Sequence, residues 1–469
     1  MIALTFEEIA QVTGGRLHSL EAATTTTASP VIDSRKAKAG TFFVALPGER
    51  VDGNIYCIEA IAAGADFALC TTPVEAPSIL VEDSLIALTK LAAYVREKMH
   101  NTTFIGITGS QGKTTTKDLL SSILSSHAET VAPSGSFNNE IGVPVTILSC
   151  SDSTRYCILE MGARHKGDID YLCSIAKPQI GLVLVVGSAH LGEFGSVEEI
   201  AKTKGELIDS LPDSGIAILG SYDSFTPHMG EGANFARIIF GEKSECDVRA
   251  ADIEFREGRA HFDLVSSAGR APVSLRLLGL HQISNALAAA AVATAIGIEI
   301  DSIAAGLSIA EIESKWRMEL HEESGFLIVN DAYNANPEST IAALRTLALL
   351  AQERGGVSWA FLGKMHELGE SEVEEHLRIG RLASELGIDQ LVSVGTDLYL
   401  NGLNLDFEAG DEMTTHYFLT QEEALGISKH FSVGDVILVK ASRAEHLDEL
   451  AEKLIAQAHN RVVEEGSAE

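Results

Sequence analysis

Basic residues are scarce. Against 66 Asp and Glu, this chain of 469 residues sets only 35 Lys and Arg, a formal net charge of −31. Binding along a nucleic-acid backbone needs clustered cations, so that class of partner is not expected. A small anionic substrate is still compatible, because a local site can oppose the overall field. The same acidic surface tends to hold molecules apart, which favours a monomer. A leader is also missing: MIALTFEEIA has no basic start and places Glu7 and Glu8 where an apolar segment would be, so export is not expected. No uncharged apolar run reaches the ~18 residues of a spanning helix, which argues against membrane insertion. The longest, 180–189 and 286–298, read as a buried strand and a buried helix. The six cysteines (Cys57, Cys70, Cys150, Cys157, Cys173 and Cys246) never form a C-x-x-C pair. Reduced, buried thiols and a cytoplasmic location are therefore expected.

What is present suffices for about three domains at ~150 residues each, and one shared core is not expected. Between residues 30 and 80, short apolar runs (TFFVAL, DFALC, SILV) alternate with a helical stretch over 55–65, which reads as a small α/β domain spanning 1–98. From Phe104 the pattern becomes strand (FIGIT), glycine-rich turn (GSQGKTTT) and helix (KDLLSSILSSH). Further strands over 156–160, 180–186 and 217–220, each followed by helical periodicity, predict a P-loop-type, mostly parallel sheet with helices on both faces, filling 99–312. Within it, residues 247–278 alternate in polarity with Gly258 and Gly269 at turns, predicting an antiparallel edge, and an apolar helix follows over 284–295. A third, Rossmann-like α/β pattern over 313–469 contains four strands: FLIVNDA, SWAFLG, QLVSVG and VILVKAS.

The strongest local signal is TGSQGKTTTKD, residues 108–118, set between an apolar strand and an amphipathic helix. Glycines there let backbone N–H groups approach phosphate oxygens, and the helix N-terminus adds its dipole. Lys113 can reach the β- and γ-phosphates of a nucleotide, and the Thr114 hydroxyl can ligate magnesium. Gly109, Ser110, Gln111, Gly112 and Thr115 complete the loop, although its glycine spacing is not the strict one: Gly106 lies one residue too far and Gly109 sits inside. In LEMGARHKGDI, Glu160 ends a strand, where a carboxylate suits a hard cation. His190 follows another apolar strand, and Lys204 lies a little beyond in EEIAKTKGELI.

These residues resemble the Mur ligases, a family that builds the bacterial cell-wall precursor by ATP-driven amide formation. Its landmarks occur in order: TGSQGKTTTK, NNEIGVP, LEMG, the His190 segment, TKGE, GLHQISNALAAAA, DAYNANPEST and VKASR. Within the family, DSRKAKAGTFFVALPGERVDGN together with DAYNANPES resembles the branch that adds D-alanyl-D-alanine to UDP-N-acetylmuramoyl-tripeptide; the DNPR motif of the branch adding a single third amino acid is absent. The resemblance implies that Lys113 and Thr114 hold ATP phosphates and a first magnesium, with Glu160 as a further ligand. It implies a second magnesium on His190 and on Lys204, carbamylated so that a cation becomes an oxygen donor. Catalytic roles thus fall to Lys113, His190 and Lys204. Asn285 would meet the adenine, Asp331 the ribose and Arg317 the phosphates, while Ser34 and Arg35 would help bind the UDP-sugar. Five landmark positions (Asn54, Gln282, Trp316, Lys364 and Ala441) depart from the usual pattern, none of them in the phosphate loop or the metal set.

The implied reaction phosphorylates the tripeptide carboxylate, and the amine of the dipeptide then attacks the acyl phosphate. Two alternatives stay open at this level: a related Mur-type or folylpolyglutamate-type ligase adding one amino acid, and a P-loop ATPase switch.

Overall fold

The computed structural model describes residues 1–48, 51–188, 191–311, 314–401 and 413–466. Among these, three sheets follow one another along the chain, with a small antiparallel ribbon, Leu4–Thr5 with Thr25–Thr26, beside the first. The first sheet runs in the order Arg16–His18, Ser78–Leu80, Phe67–Cys70, Thr41–Val44, Ser29–Val31, and is parallel apart from its Arg16–His18 edge. The expected 55–65 helix is shorter: a 3₁₀ turn, Gly53–Tyr56, precedes the α-helix Cys57–Ala62, and Gly64 reverses the chain at φ +111°.

Helix Ser84–Lys98, capped by the Asp83 carboxylate on the Leu85 and Ile86 amides, leads to the second sheet. Its Leu88, Leu91, Ala92 and Val95 belong to one apolar cluster that runs from Phe42 and Phe67 of the first sheet to Phe104, Leu159 and Met161 of the second. The first two units therefore share a core. The third is packed around clusters on the two faces of its sheet, one of which also takes in Leu278 of the second sheet.

The nine-stranded second sheet is ordered Gly269–Leu278, Arg259–Ser266, Val248–Arg256, Ala236–Gly241, Ile216–Gly220, Ile180–Val183, Thr103–Thr108, Tyr156–Glu160, Thr130–Val131. Only the three strands at its Gly269–Leu278 edge pair antiparallel. Their alternating burial matches the alternating sequence, one face on the core and one in water. Helices Lys113–Ser125, Gln282–Ile296 and Ile300–Ile309 cover one face, and Asp168–Ala176 and Val197–Asp209 the other. Helix Gln282–Ile296 is apolar all round because it is buried all round, with Ala286 to Val292 fully enclosed.

The third sheet is ordered Glu319–Glu323, Phe326–Asn330, Val436–Lys440, Ser358–Leu362, Gln390–Val394, Thr414–Phe418. The four expected strands form its parallel centre, and two edge strands, ELHEE and TTHYF, join them although neither carries an apolar run. Helix Pro337–Arg354 begins in the NANPES segment: Asn336 and Ser339 form a reciprocal capping box, Pro337 occupies the first turn, and Gly355 ends the helix at φ +68°. All six cysteines are free and buried, and among the described residues no helix is long and apolar enough to cross a membrane.

Candidate active site

Strand Thr103–Thr108 pairs on one side with Tyr156–Glu160 and on the other with Ile180–Val183, the strand that follows Tyr156–Glu160 in the chain. Such a reversal of strand order opens a crevice at the carboxyl ends of a parallel sheet. The phosphate loop lies there, and the third unit faces it across a cleft of about 1710 Å³.

The loop leaves the strand with Gly109 at φ +154° and enters the helix through Gly112 at φ +81°. At Gly112 a Cβ would come within 2.3 Å of Asn285 Oδ1, so the backbone approaches its neighbour as only glycine allows. The Ser110 amide donates to Val185 O at 2.9 Å and its hydroxyl accepts from the Gly187 amide at 2.8 Å, bracing the loop against the next strand. Gln111 and Thr115 line the cleft beside it. Lys113 donates from Nζ to Gly109 O at 2.7 Å. Desolvation holds its ammonium below the ordinary pKa; Glu160 opposes that shift and Arg317 adds to it.

Thr114 Oγ1 donates to Glu160 Oε2 at 3.0 Å, and Asn138 Nδ2 donates to Glu160 Oε1 at 2.9 Å. Glu160 is 1% exposed. A hydroxyl and a buried carboxylate that converge beside a phosphate cradle form a donor set that fits magnesium. Lys204, on helix Val197–Asp209, lines the same cleft, is buried, and has no ion-pair or hydrogen-bond partner among the described residues. Burial, and then the charge of Lys113, lower its pKa to about 7. A large share of this amine is therefore neutral at physiological pH, the form that can react with carbon dioxide. His190 lies outside the described residues.

The third unit supplies the opposite wall. Arg317 lies over the Tyr333 ring, 4.0 Å from its centroid, and donates from Nη2 to Ser136 Oγ at 3.1 Å, reaching across to the central unit. Asp331 accepts from Lys440 Nζ at 2.6 Å and from the Met318 amide at 3.1 Å. Asn285 donates to Gln282 Oε1 at 2.9 Å with its other amide atom 3.4 Å from Thr116 Oγ1. His281, between these groups, is kept neutral by burial, which lowers its pKa to about 4.

The structure thus brings together the loop, Glu160, Lys204, Asn285, Arg317 and Asp331, but not Ser34 and Arg35. Those two lie in the turn Ser34–Lys36 of the first sheet, outside the cleft, with the Arg35 guanidinium gripped by Asp33 through two bonds of 2.9 and 2.8 Å. Sequence reasoning missed Asn138, Ser136 and Lys440, whose roles come from partners far along the chain. Asn138 and Lys440 do fall inside the NNEIGVP and VKASR landmarks, the one signal that pointed to them. The departure at Trp316 also has a physical reading. Its backbone is left-handed at φ +59°, a conformation that favours glycine, and its ring lies under the Arg443 guanidinium at 4.3 Å.

A phosphate loop at the switch point of a parallel sheet, faced by a unit with its own parallel sheet, defines a multidomain phosphate-loop protein. The chain belongs to the Mur ligase family: the family's models match it at 31–97 (Mur ligase family, catalytic domain), 107–293 (Mur ligase middle domain) and 316–443 (Mur ligase, glutamate ligase domain). It is 39% identical to the UDP-N-acetylmuramoyl-tripeptide--D-alanyl-D-alanine ligase of Mycobacterium tuberculosis, over 97% of this chain and 98% of that one. The similarly named Escherichia coli protein is 32% identical, over 97% of this chain and 99% of the other. Among solved structures, MurF from Acinetobacter baumannii superposes with a TM-score of 0.84 at 34% identity, over 97% of this chain and 99% of that chain. MurF ligase from Thermotoga maritima in complex with ADP does so at 0.78 and 29% identity, over 93% and 99%.

Proposed function

We propose that this protein is the ATP- and magnesium-dependent ligase that joins D-alanyl-D-alanine to UDP-N-acetylmuramoyl-tripeptide in peptidoglycan precursor synthesis, in the cytoplasm. The observation that carries this reading is the Thr114–Glu160 pair at the phosphate loop, beside buried Lys204 and faced by Arg317, in a chain similar over 97% of its length to ligases of that name. Residues 1–98 hold the UDP end through Ser34 and Arg35, 99–312 hold ATP, and 313–469 close over the nucleotide and bring the dipeptide.

Backbone amides from Gly109 to Thr115 cradle the phosphates and Lys113 neutralises the transferring group. Asn285 meets the adenine, Asp331 the ribose and Arg317 the phosphates from the facing wall. Thr114 and Glu160 would hold one magnesium, and His190 and a carbamate on Lys204 a second; bound there, such ions would supply positive charge to the phosphates. The neutral fraction of the Lys204 amine supports carbamate formation. With the γ-phosphoryl group moved to the tripeptide carboxylate, the dipeptide amine attacks the acyl carbon and phosphate leaves. Closure of the third unit keeps water from the acyl phosphate.

The test is phosphate release from ATP and magnesium with UDP-N-acetylmuramoyl-tripeptide, with and without D-alanyl-D-alanine, and the product mass. Release that needs both substrates and a product heavier by the dipeptide is expected. Release with a single amino acid instead would overturn the substrate; release without any acceptor would overturn the ligase reading.

A further inference from the structure

The reaction proposed above has a proton to place. A peptide amine with a pKa near 8 is about nine-tenths ammonium at pH 7, and ammonium has no lone pair with which to attack. The cleft wall formed by the third unit carries one group built to take that proton. His366 lines the cleft in the loop that follows strand Ser358–Leu362, at the carboxyl edge of the third sheet. Its Nε2 lies 2.5 Å from Glu445 Oε1, in the loop that follows the neighbouring strand Val436–Lys440. A carboxylate on Nε2 fixes the tautomer that carries hydrogen there, leaving the Nδ1 lone pair as the acceptor. Nδ1 has no hydrogen bond among the described residues, and the side chain is 38% exposed.

The two loops are pinned to each other. The His366 amide donates to Ser442 Oγ at 2.9 Å, the Ser442 amide to Lys364 O at 3.1 Å, and the Gly363 amide to Lys440 O at 3.0 Å. The other charged groups around the imidazole are already committed to partners: Lys364 to Glu372 at 3.0 Å, Arg443 to Asp448 at 2.6 Å, and Glu367 to Arg164 at 3.9 Å.

We propose that His366, oriented by Glu445, is the base that deprotonates the incoming amine; this rests on the dipeptide-ligase reading. One proton passes from the ammonium nitrogen to Nδ1. The freed lone pair forms the C–N bond at the acyl carbon, the carbon–oxygen bond to phosphate breaks, and the second surplus proton leaves on phosphate as hydrogen phosphate. The imidazolium then returns its proton to solvent through its exposed edge.

The test is a competition for the same acyl phosphate between D-alanyl-D-alanine and hydroxylamine, a nucleophile largely unprotonated at neutral pH that needs no base. The ratio of dipeptide amide to hydroxamate does not depend on how fast the acyl phosphate forms, and tripeptide-dependent hydroxamate reports a folded enzyme. At about pH 7, H366Q is expected to shift the ratio toward hydroxamate by about tenfold or more, with E445Q shifting it less. At about pH 9, where the dipeptide amine is mostly neutral, the H366Q ratio should return close to that of the unmodified enzyme. An unchanged ratio at pH 7, or an equal shift at both pH values, overturns the proposal. If the unmodified enzyme makes hydroxamate but no dipeptide amide, the substrate reading fails and this proposal with it.

Discussion

Lys204 sits in an environment that stability alone would not choose. It is buried without a partner among the described residues, and its pKa in the fold, about 7, lies below the ordinary 10.5. Between those values the unfolded chain binds more protons than the folded one, so this group makes the protein more stable as pH rises, by about 1.4 kcal/mol per unit. At pH 7 most of that contribution is missing. Lys204→Met keeps the volume and removes the charge, so in bicarbonate-free buffer it should raise stability in urea at pH 7, with a gap to the unmodified protein that narrows toward pH 9. Ligase turnover should meanwhile fall by at least about 100-fold. Equal stability at pH 7 would mean the lysine is not desolvated. At Glu160, Gln keeps the shape but removes the anion, so Glu160→Gln should weaken the magnesium dependence of activity by more than about tenfold. Magnesium titration of turnover checks this.

At the next scale, the turn between strand Thr103–Thr108 and helix Lys113–Ser125 couples local chemistry to the nucleotide. Gly112→Ala places a methyl on a left-handed residue, 2.3 Å from Asn285 Oδ1, which forces the loop off its cradle. Nucleotide binding by calorimetry should weaken by more than about tenfold, while stability falls by only about 1–2 kcal/mol. Much of this element level was legible. The loop announces itself in contiguous residues, and the central strands in near-continuous apolar runs, as doubly covered strands show. The edge strands Glu319–Glu323 and Thr414–Phe418 were not legible, because an edge can be charged and polar and still complete a ladder. Helix Cys57–Ala62 came out short because a 3₁₀ turn takes its expected first residues.

For the whole molecule, the first two units share a core and act as a platform, and the third meets it through Leu278, which joins the third unit's core, and through polar contacts. Arg317 reaches Ser136, Glu338 accepts from the Ser188 amide at 2.8 Å, and the Gly192 amide donates to Glu367 O at 3.2 Å. Gly192 lies so close to Gly369 that a Cβ would come within 2.8 Å of its amide nitrogen. Gly192→Val should therefore prop the cleft open: ADP binding changes little, turnover drops by about tenfold or more, and small-angle scattering shows less compaction with nucleotide and UDP-substrate than the unmodified protein. Unchanged turnover would mean that this contact is not needed for closure.

The sequence by itself determined the class of architecture, the phosphate loop and the family, because each is written in contiguous residues or in landmarks whose order survives without folding. It could not decide which side chains meet. Glu160 and Asn138 are 22 residues apart, His366 and Glu445 are 79 apart, and Asp331 and Lys440 are 109 apart. Pairs at such separations form only because parallel strands deliver their carboxyl ends to one edge, whatever their distance along the chain. Tertiary structure alone also desolvates Lys204, keeps His281 neutral and leaves Arg35 on a remote turn, since burial depends on all that packs around a group and no single segment contains it.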